Sequence, residues 1–314
     1  MTLPNFTQEE IAHLYHQHTE VSGQAFEANA VERAWYWTEG QPRLVNALAY
    51  ESVVNILGKN YSQPITSDII NQAAENLILR RDINIDYLLE RLKESMVKRV
   101  IEPVILGDED WDEETTDDDI RYAQDLELIK QDGDTYRPTN PIYSEVIIRT
   151  LTQRLERRIP IELVNRWMDG SKLDMTGLLL EFQQFWRENA ESLVTPYKYT
   201  QASPYLVGFA FLQRVLNGQA RFISREYSLG FRRVDILVKY NQIPYPLEFK
   251  IKNQYFNAKK RDESLERLRS YIAQCGAKEG WSLIFEPTPN KNWEDKLYWE
   301  TIEIEGVTIH VVGC

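Results

Sequence analysis

The sequence predicts a mixed α/β protein: a helical N-terminal region, a winged helix, and a C-terminal mixed sheet flanked by helices. Three observations carry this. Apolar residues recur at helical spacing up to about Asp82, a hairpin signal stands at Asp132-Gly133, and strict alternation appears only beyond residue 220. At 314 residues the chain is long for one domain. The elements divide it into residues 1–85, 86–160 and 161–314.

In the first region, TQEEIAHLYHQHTEV, EANAVERAWYWTEG, QPRLVNALAYESVVNIL and SDIINQAAENLILRR read as helices. Thr7 with Glu10 fits a capping box, and Gly40 before Pro42 fits a helix stop. INIDYLLERLKESMVKRVIEPVIL reads as one long amphipathic helix, followed by a short one at DDIRYAQDLEL. Asp132-Gly133 between LIKQ and TYRP then predicts a hairpin, and PIYSEVIIRTLTQRL a closing helix. This order predicts the winged helix. Arg121 lies among Asp117, Asp118, Asp119, Asp125 and Glu127, so a structural or protein-binding wing is favoured over a DNA reader. RRIPIE, residues 157 to 162, predicts the boundary to the last domain.

That domain opens with GLLLEFQQFWRENAESL, an amphipathic helix, and PYLVGFAFLQRVLNG, apolar almost all round and so buried. Strand runs follow at ARFISREYSL, RRVDILVKY and YPLEFKIKN. A helix is predicted over about 260 to 275, its buried stripe formed by Leu265, Leu268, Ile272 and Cys275. WSLIFEP and GVTIHVV close as strands.

Composition narrows the function classes. No apolar run approaches the roughly 18 residues of a membrane span, and MTLPNFTQEE lacks the order of a secretory signal. Two cysteines, Cys275 and Cys314, make no disulfide framework and no thiolate zinc cluster, which points to a reducing cytoplasm. HLYHQHT offers a polar helix face more readily than a metal site. The net charge of −12 is segregated. Residues 201 to 275 hold thirteen Lys/Arg against six Asp/Glu, whereas DEDWDEETTDDD, residues 108 to 119, holds nine acids and no base. Such a block repels itself and reads as a solvated loop, or as a nucleic-acid mimic shielding a basic surface.

The candidate site lies in RRVDILVKYNQIPYPLEFKIK. Side chains along a strand repeat every two residues. Val234, Ile236 and Val238 therefore oppose Asp235, Leu237 and Lys239, while Leu247, Phe249 and Ile251 oppose Glu248, Lys250 and Lys252. Phosphodiester cleavage needs a hydroxide equivalent and positive charge on the developing phosphorane, and Mg²⁺ (or Mn²⁺) held by one or two carboxylates supplies both. Asp235 and Glu248 on adjacent strands can share such an ion, with the Phe249 carbonyl as a further ligand. Lys250 projects toward the same space, where an ammonium can position water and offset phosphate charge. Arg232, Arg233 and Lys252 are candidates for nucleic-acid contact. The bland alternative is an exposed strand pair with a Glu–Lys salt bridge.

At these residues FLQRVLNGQARFISREYSLGFRRVDILV, LEFKIK and ESLERLRSYIAQCGAKEGWSLIF resemble the PD-(D/E)XK nuclease-like domain at the C-terminus of certain bacterial AAA-like ATPases, over about residues 175 to 290. The resemblance implies a restriction-endonuclease-like sheet, with Asp235 as the metal-binding Asp and Glu248 and Lys250 as the E-x-K. It implies an accessory role for Glu226, whose other reading is a surface acid paired with Arg225 or Arg232. Two positions depart from the pattern. Gln213 stands where relatives often carry a helix Glu, and Arg267 stands where they often carry Gln, so Arg267 can bind phosphate instead.

FTQEEIAHLYHQHTEVSGQAF and TEGQPRLVNALA are similar to the helical lid of the same ATPases. No G-x-x-x-x-G-K-[ST] occurs, so ATP binding is not expected. The chain looks like the lid, winged helix and nuclease end of a larger architecture, truncated or working with a separate ATPase or as a homo-oligomer. The sequence thus predicts a cytoplasmic Mg²⁺-dependent nuclease acting on DNA. The competing expectation is a nuclease-like module that binds nucleic acid or a partner ATPase without cleaving.

Overall fold

The computed structural model describes residues 4–80, 90–106, 114–160, 166–194, 202–216, 223–224, 236–252, 256–286 and 291–314. It is a mixed α/β structure in two compact units, Met1–Ile105 with Glu109–Thr150, and Leu151–Cys314 with a short piece at residues 106–108. No helix among the described residues is long and apolar enough to cross a membrane.

The first unit begins with α1 (Gln8–Ser22), α2 (Ala28–Thr38), α3 (Pro42–Tyr50) and α4 (Ser67–Arg80). Thr7 and Glu10 form the capping box of α1, and Gly23 ends the helix in a left-handed conformation. Ile11, Tyr15, Ala34, Val45, Leu48 and Ile70 are buried, and the Tyr15 hydroxyl donates to the Val45 carbonyl at 2.9 Å. The run read as a continuation of α3 instead widens to a π-helix over Glu51–Ile56. Glu51, its first residue, is buried, and Asn76 Nδ2 donates to its carboxylate at 2.7 Å.

The long helix expected over INIDYLLERLKESMVKRVIEPVIL, residues 83 to 106, is interrupted in its described part. Residues 92 to 94 turn, with Lys93 N donating to the Glu90 carbonyl and Glu94 N to the Arg91 carbonyl, before α5 (Ser95–Leu106) starts. Then come α6 (Asp117–Asp125), β1 (Ile129–Asp132), β2 (Thr135–Pro138) and α7 (Pro141–Glu156). β1 and β2 pair antiparallel around the predicted Gly133 turn. Lys130 and Arg137, one on each strand, both pair with Glu39 beyond the end of α2.

The acidic block needs correcting at its end. Residues 107–113 lie outside the described set; Asp118 and Asp119, which also open the helix read at DDIRYAQDLEL, form with Asp117 the first turn of α6. Thr116 and Asp119 make a reciprocal capping box there. Carboxylates are favoured at a helix N-terminus because the free amide groups carry partial positive charge.

The second unit contains a small hairpin, β3 (Met168–Asp169) and β4 (Lys172–Leu173), then α8 (Met175–Val194) and α9 (Ala202–Leu216). Its sheet follows with β5 (Ile223–Ser224), β6 (Ile236–Tyr240), β7 (Ile243–Ile251), α10 (Ala258–Cys275), β8 (Glu279–Phe285), α11 (Trp293–Lys296), β9 (Trp299–Ile304) and β10 (Val307–Gly313). Six strands lie in the order β5-β6-β7-β8-β10-β9. β7, β8 and β10 run parallel and the remaining pairs antiparallel.

Register sorts the side chains onto two faces. On one, Phe249 packs against Tyr205 and Phe285, and Phe285 against Phe182 and Trp186, so α8 and α9 cover it. A Cβ on Gly208 would come within 2.5 Å of the Phe249 ring, which explains a glycine inside α9. On the other face Leu265, Leu268 and Ile272 of α10 pack with Ile284, Ile309 and Val311. Cys275 belongs to this stripe only in part: it is half-buried in the last turn, before Gly276 ends the helix.

Candidate functional site

The alternation in LEFKIK makes β7 a strand, and its position between β6 and β8 makes it an interior one. Glu248 sits beside Ser282 and Lys250 beside Ile284 in the parallel ladder, which turns both toward α10. Both are almost fully buried, at 2% and 3% exposure.

Glu248 is the centre of the constellation. Its Oε1 pairs with Lys250 Nζ, and Arg267 Nη2 approaches the same oxygen at 3.9 Å. Its Oε2 accepts a hydrogen bond from Ser264 Oγ at 2.9 Å. Ser264 and Arg267 are three residues apart on α10, hence on one helix face. Ser264 is itself buried, whereas the Arg267 side chain is half exposed and carries the cluster to the surface.

Stability alone is a weak reason for such a buried pair. Desolvating two charges offsets most of their attraction, and an apolar pair of the same volume is often as stable or more so. A buried carboxylate with one lysine, one serine and one arginine directed at it is therefore a candidate for chemistry.

The remaining predicted residues divide. Asp235, Glu226, Arg232 and Arg233 lie outside the described residues. In sequence, Asp235 comes one residue before Ile236, and Glu248 one residue after Leu247, the partner of Ile236 across the β6–β7 ladder. Gln213 is fully buried in α9 and takes a hydrogen bond from Thr152 Oγ1 at 3.1 Å, so its side chain ties α9 to α7. The Phe249 ring packs among aromatics on the opposite face. Lys252 is partly exposed and bonds Glu286 at 3.1 Å. Of the bland reading, an exposed strand pair with a Glu–Lys salt bridge, the salt bridge is present and the exposure is not, since α10 covers that face.

Sequence reasoning missed Ser264. A serine next to the buried stripe, one turn before Arg267, was the available signal. Of the metal ligands expected from the sequence, the described side chains supply one carboxylate, Glu248, whose two oxygens are engaged by Lys250 and Ser264. Among the described residues no three His, Cys, Asp or Glu gather into a fuller ligand set. No family model, curated protein or solved structure matches this chain.

Proposed function

We propose that the chain is a metal-dependent nuclease hydrolysing phosphodiester bonds in DNA. The observation that carries this reading is the buried Glu248–Lys250 pair on an interior strand, held from α10 by Ser264 and Arg267. Glu248 with Asp235 and the Phe249 carbonyl would hold Mg²⁺ or Mn²⁺, which when bound activates water and offsets phosphate charge. Ser264 fixes the orientation of the Glu248 carboxylate, and Lys250 supplies a positive charge beside it. Arg267 reaches from there to solvent, where it can meet a phosphate oxygen. The order α9, β5, β6, β7, α10, β8 supports the resemblance to PD-(D/E)XK nuclease-like domains.

In this reading residues 86–160 are a winged helix with a structural or protein-binding role. The pairing of Lys130 and Arg137 with Glu39 supports that role, because it engages both cations of the hairpin away from nucleic acid. A separate ATPase is the partner we favour for that surface.

One observation favours a second reading, a nuclease-like module that binds without cleaving. Glu248 is already engaged by Lys250, Ser264 and Arg267. Plasmid, single-stranded DNA and RNA incubated with Mg²⁺ or Mn²⁺ decide between them. We expect cleavage that is abolished by chelation and by Glu248→Gln. If all substrates stay intact with both metals, the binding module replaces the enzyme.

A further inference from the structure

The ends of β7 and β8 open into a cleft of about 340 Å³. Its apolar walls are Phe256, Ile284 and Tyr298, and Lys252, Arg261 and Glu300 supply its charged groups. Ile284 is the ladder neighbour of Lys250, so the cleft lies on the α10 face. The amino end of α10, capped by Asn257, also lines it.

The charge around this cleft is unusual for a chain of net charge −12. Glu286 accepts from Lys252 Nζ at 3.1 Å and from Lys291 Nζ at 2.8 Å. Lys296 stands close enough to feel both Glu286 and Lys291, with its ammonium 5.1 Å from the Trp293 ring. Burial alone would raise the Glu286 carboxyl, but Lys291 and Lys252 outweigh it and hold the group below the ordinary carboxylate range. One carboxylate thus faces three ammonium groups, and Arg261 beside them pairs with Glu300.

We propose that this cleft binds a nucleoside phosphate unit, its planar base against Tyr298 and Phe256 and its phosphate on Lys252 and Arg261. Each part has a physical reason. Aromatic side chains accept any base because every base has a π-face. Arg261 can exchange a single carboxylate for a bidentate phosphate. The amino end of α10, which lines the cleft, favours an anion. Ligand clefts run from about 300 to 1000 Å³, so this one is sized for a single nucleotide rather than a duplex. The unit can be a free mononucleotide or the end of a strand, and the inference stands apart from cleavage at Glu248.

Calorimetry on the full chain, with a chelator present, tests this using adenosine 5′-monophosphate, inorganic phosphate and a 5′-phosphorylated single-stranded oligonucleotide. We expect the mononucleotide to bind at least tenfold more tightly than inorganic phosphate. Lys252→Ala and Arg261→Ala should each weaken it at least tenfold. Tyr298→Ala should reduce it to the level of phosphate, while Tyr298→Phe should keep the affinity. Lys252 and Tyr298 are partly exposed, so their replacement leaves the core intact. A tighter oligonucleotide identifies a strand end as the ligand; an equal or weaker one identifies the free nucleotide. The proposal is overturned if the mononucleotide binds no better than phosphate, or if Lys252→Ala and Tyr298→Ala bind it as the unmodified chain does. Because chelation removes cleavage from the measurement, either reading can fail while the other stands.

Discussion

Lys250 and Glu248 are two residues apart on one strand, and each is the other's charge partner in a buried site. Removing one member leaves an uncompensated charge, which typically costs about 3–5 kcal/mol. Lys250→Ala should therefore lose both stability and activity, and activity alone cannot assign its role. The double variant Glu248→Leu, Lys250→Met separates the two. Its urea midpoint should equal or exceed that of the unmodified chain, while DNA cleavage falls by about 10² or more, the scale of one lost transition-state contact. A double variant that unfolds early would mean that the pair is there for stability. The pair itself was legible in the sequence, because two charged residues alternate with aliphatics in LEFKIK. Ser264 was not, since nothing local in ESLER tells a serine facing solvent from one donating to a carboxylate sixteen residues earlier. Gln213, considered for the site because it stands where the resembling domains often carry Glu, accepts a hydrogen bond from Thr152, a contact that the local sequence does not announce.

At the scale of elements, the helices and interior strands were legible because their periodicity is strong. Edges and exceptions were less so. β9 carries Glu300 and Glu303 on an exposed, polar strand and pairs only with β10, so it lacks the apolar run that marks an interior strand. The π-helix at Glu51–Ile56 keeps apolar residues at near-helical spacing, so its wider turn leaves no mark in the sequence. α6 is the instructive case, since the acids that suggested a solvated loop are what its first turn uses. Thr116 is exposed there; its hydroxyl accepts from Asp119 N at 3.3 Å, while Asp119 Oδ2 accepts from Thr116 N at 3.0 Å. Thr116→Ala should cost the first unit about 1 kcal/mol, the usual worth of an N-cap. Urea unfolding followed by circular dichroism measures this, and Thr116→Ser should restore most of the loss. An unchanged midpoint for Thr116→Ala would show that α6 is held by its packing alone.

Over the whole molecule, the main part of the second compact unit begins at Leu151, inside α7. The sequence places a boundary at RRIPIE, residues 157 to 162, and the second compact unit includes Leu151 onward. Leu155 and Ile159 are buried, and Thr152, fully buried, donates to Gln213 of α9. A chain begun at residue 161 therefore discards part of the second unit's own core. Burying one aliphatic side chain is worth about 1.5–3 kcal/mol, and one hydrogen bond about 0.5–1.5 kcal/mol net. Two such side chains and one bond amount to several kcal/mol, a large share of the roughly 5–15 kcal/mol that stabilises a domain. We expect residues 151–314 to unfold cooperatively in urea with a sharp near-ultraviolet signal from Trp186 and Trp281, both buried. Residues 161–314 should unfold at clearly lower urea or lack that signal altogether. Restoring residues 151–160 but with Thr152→Val and Leu155→Ala should give an intermediate midpoint, because Ile159 remains. Equal midpoints for the two fragments would show that the second unit makes no use of α7, and would return the boundary to RRIPIE.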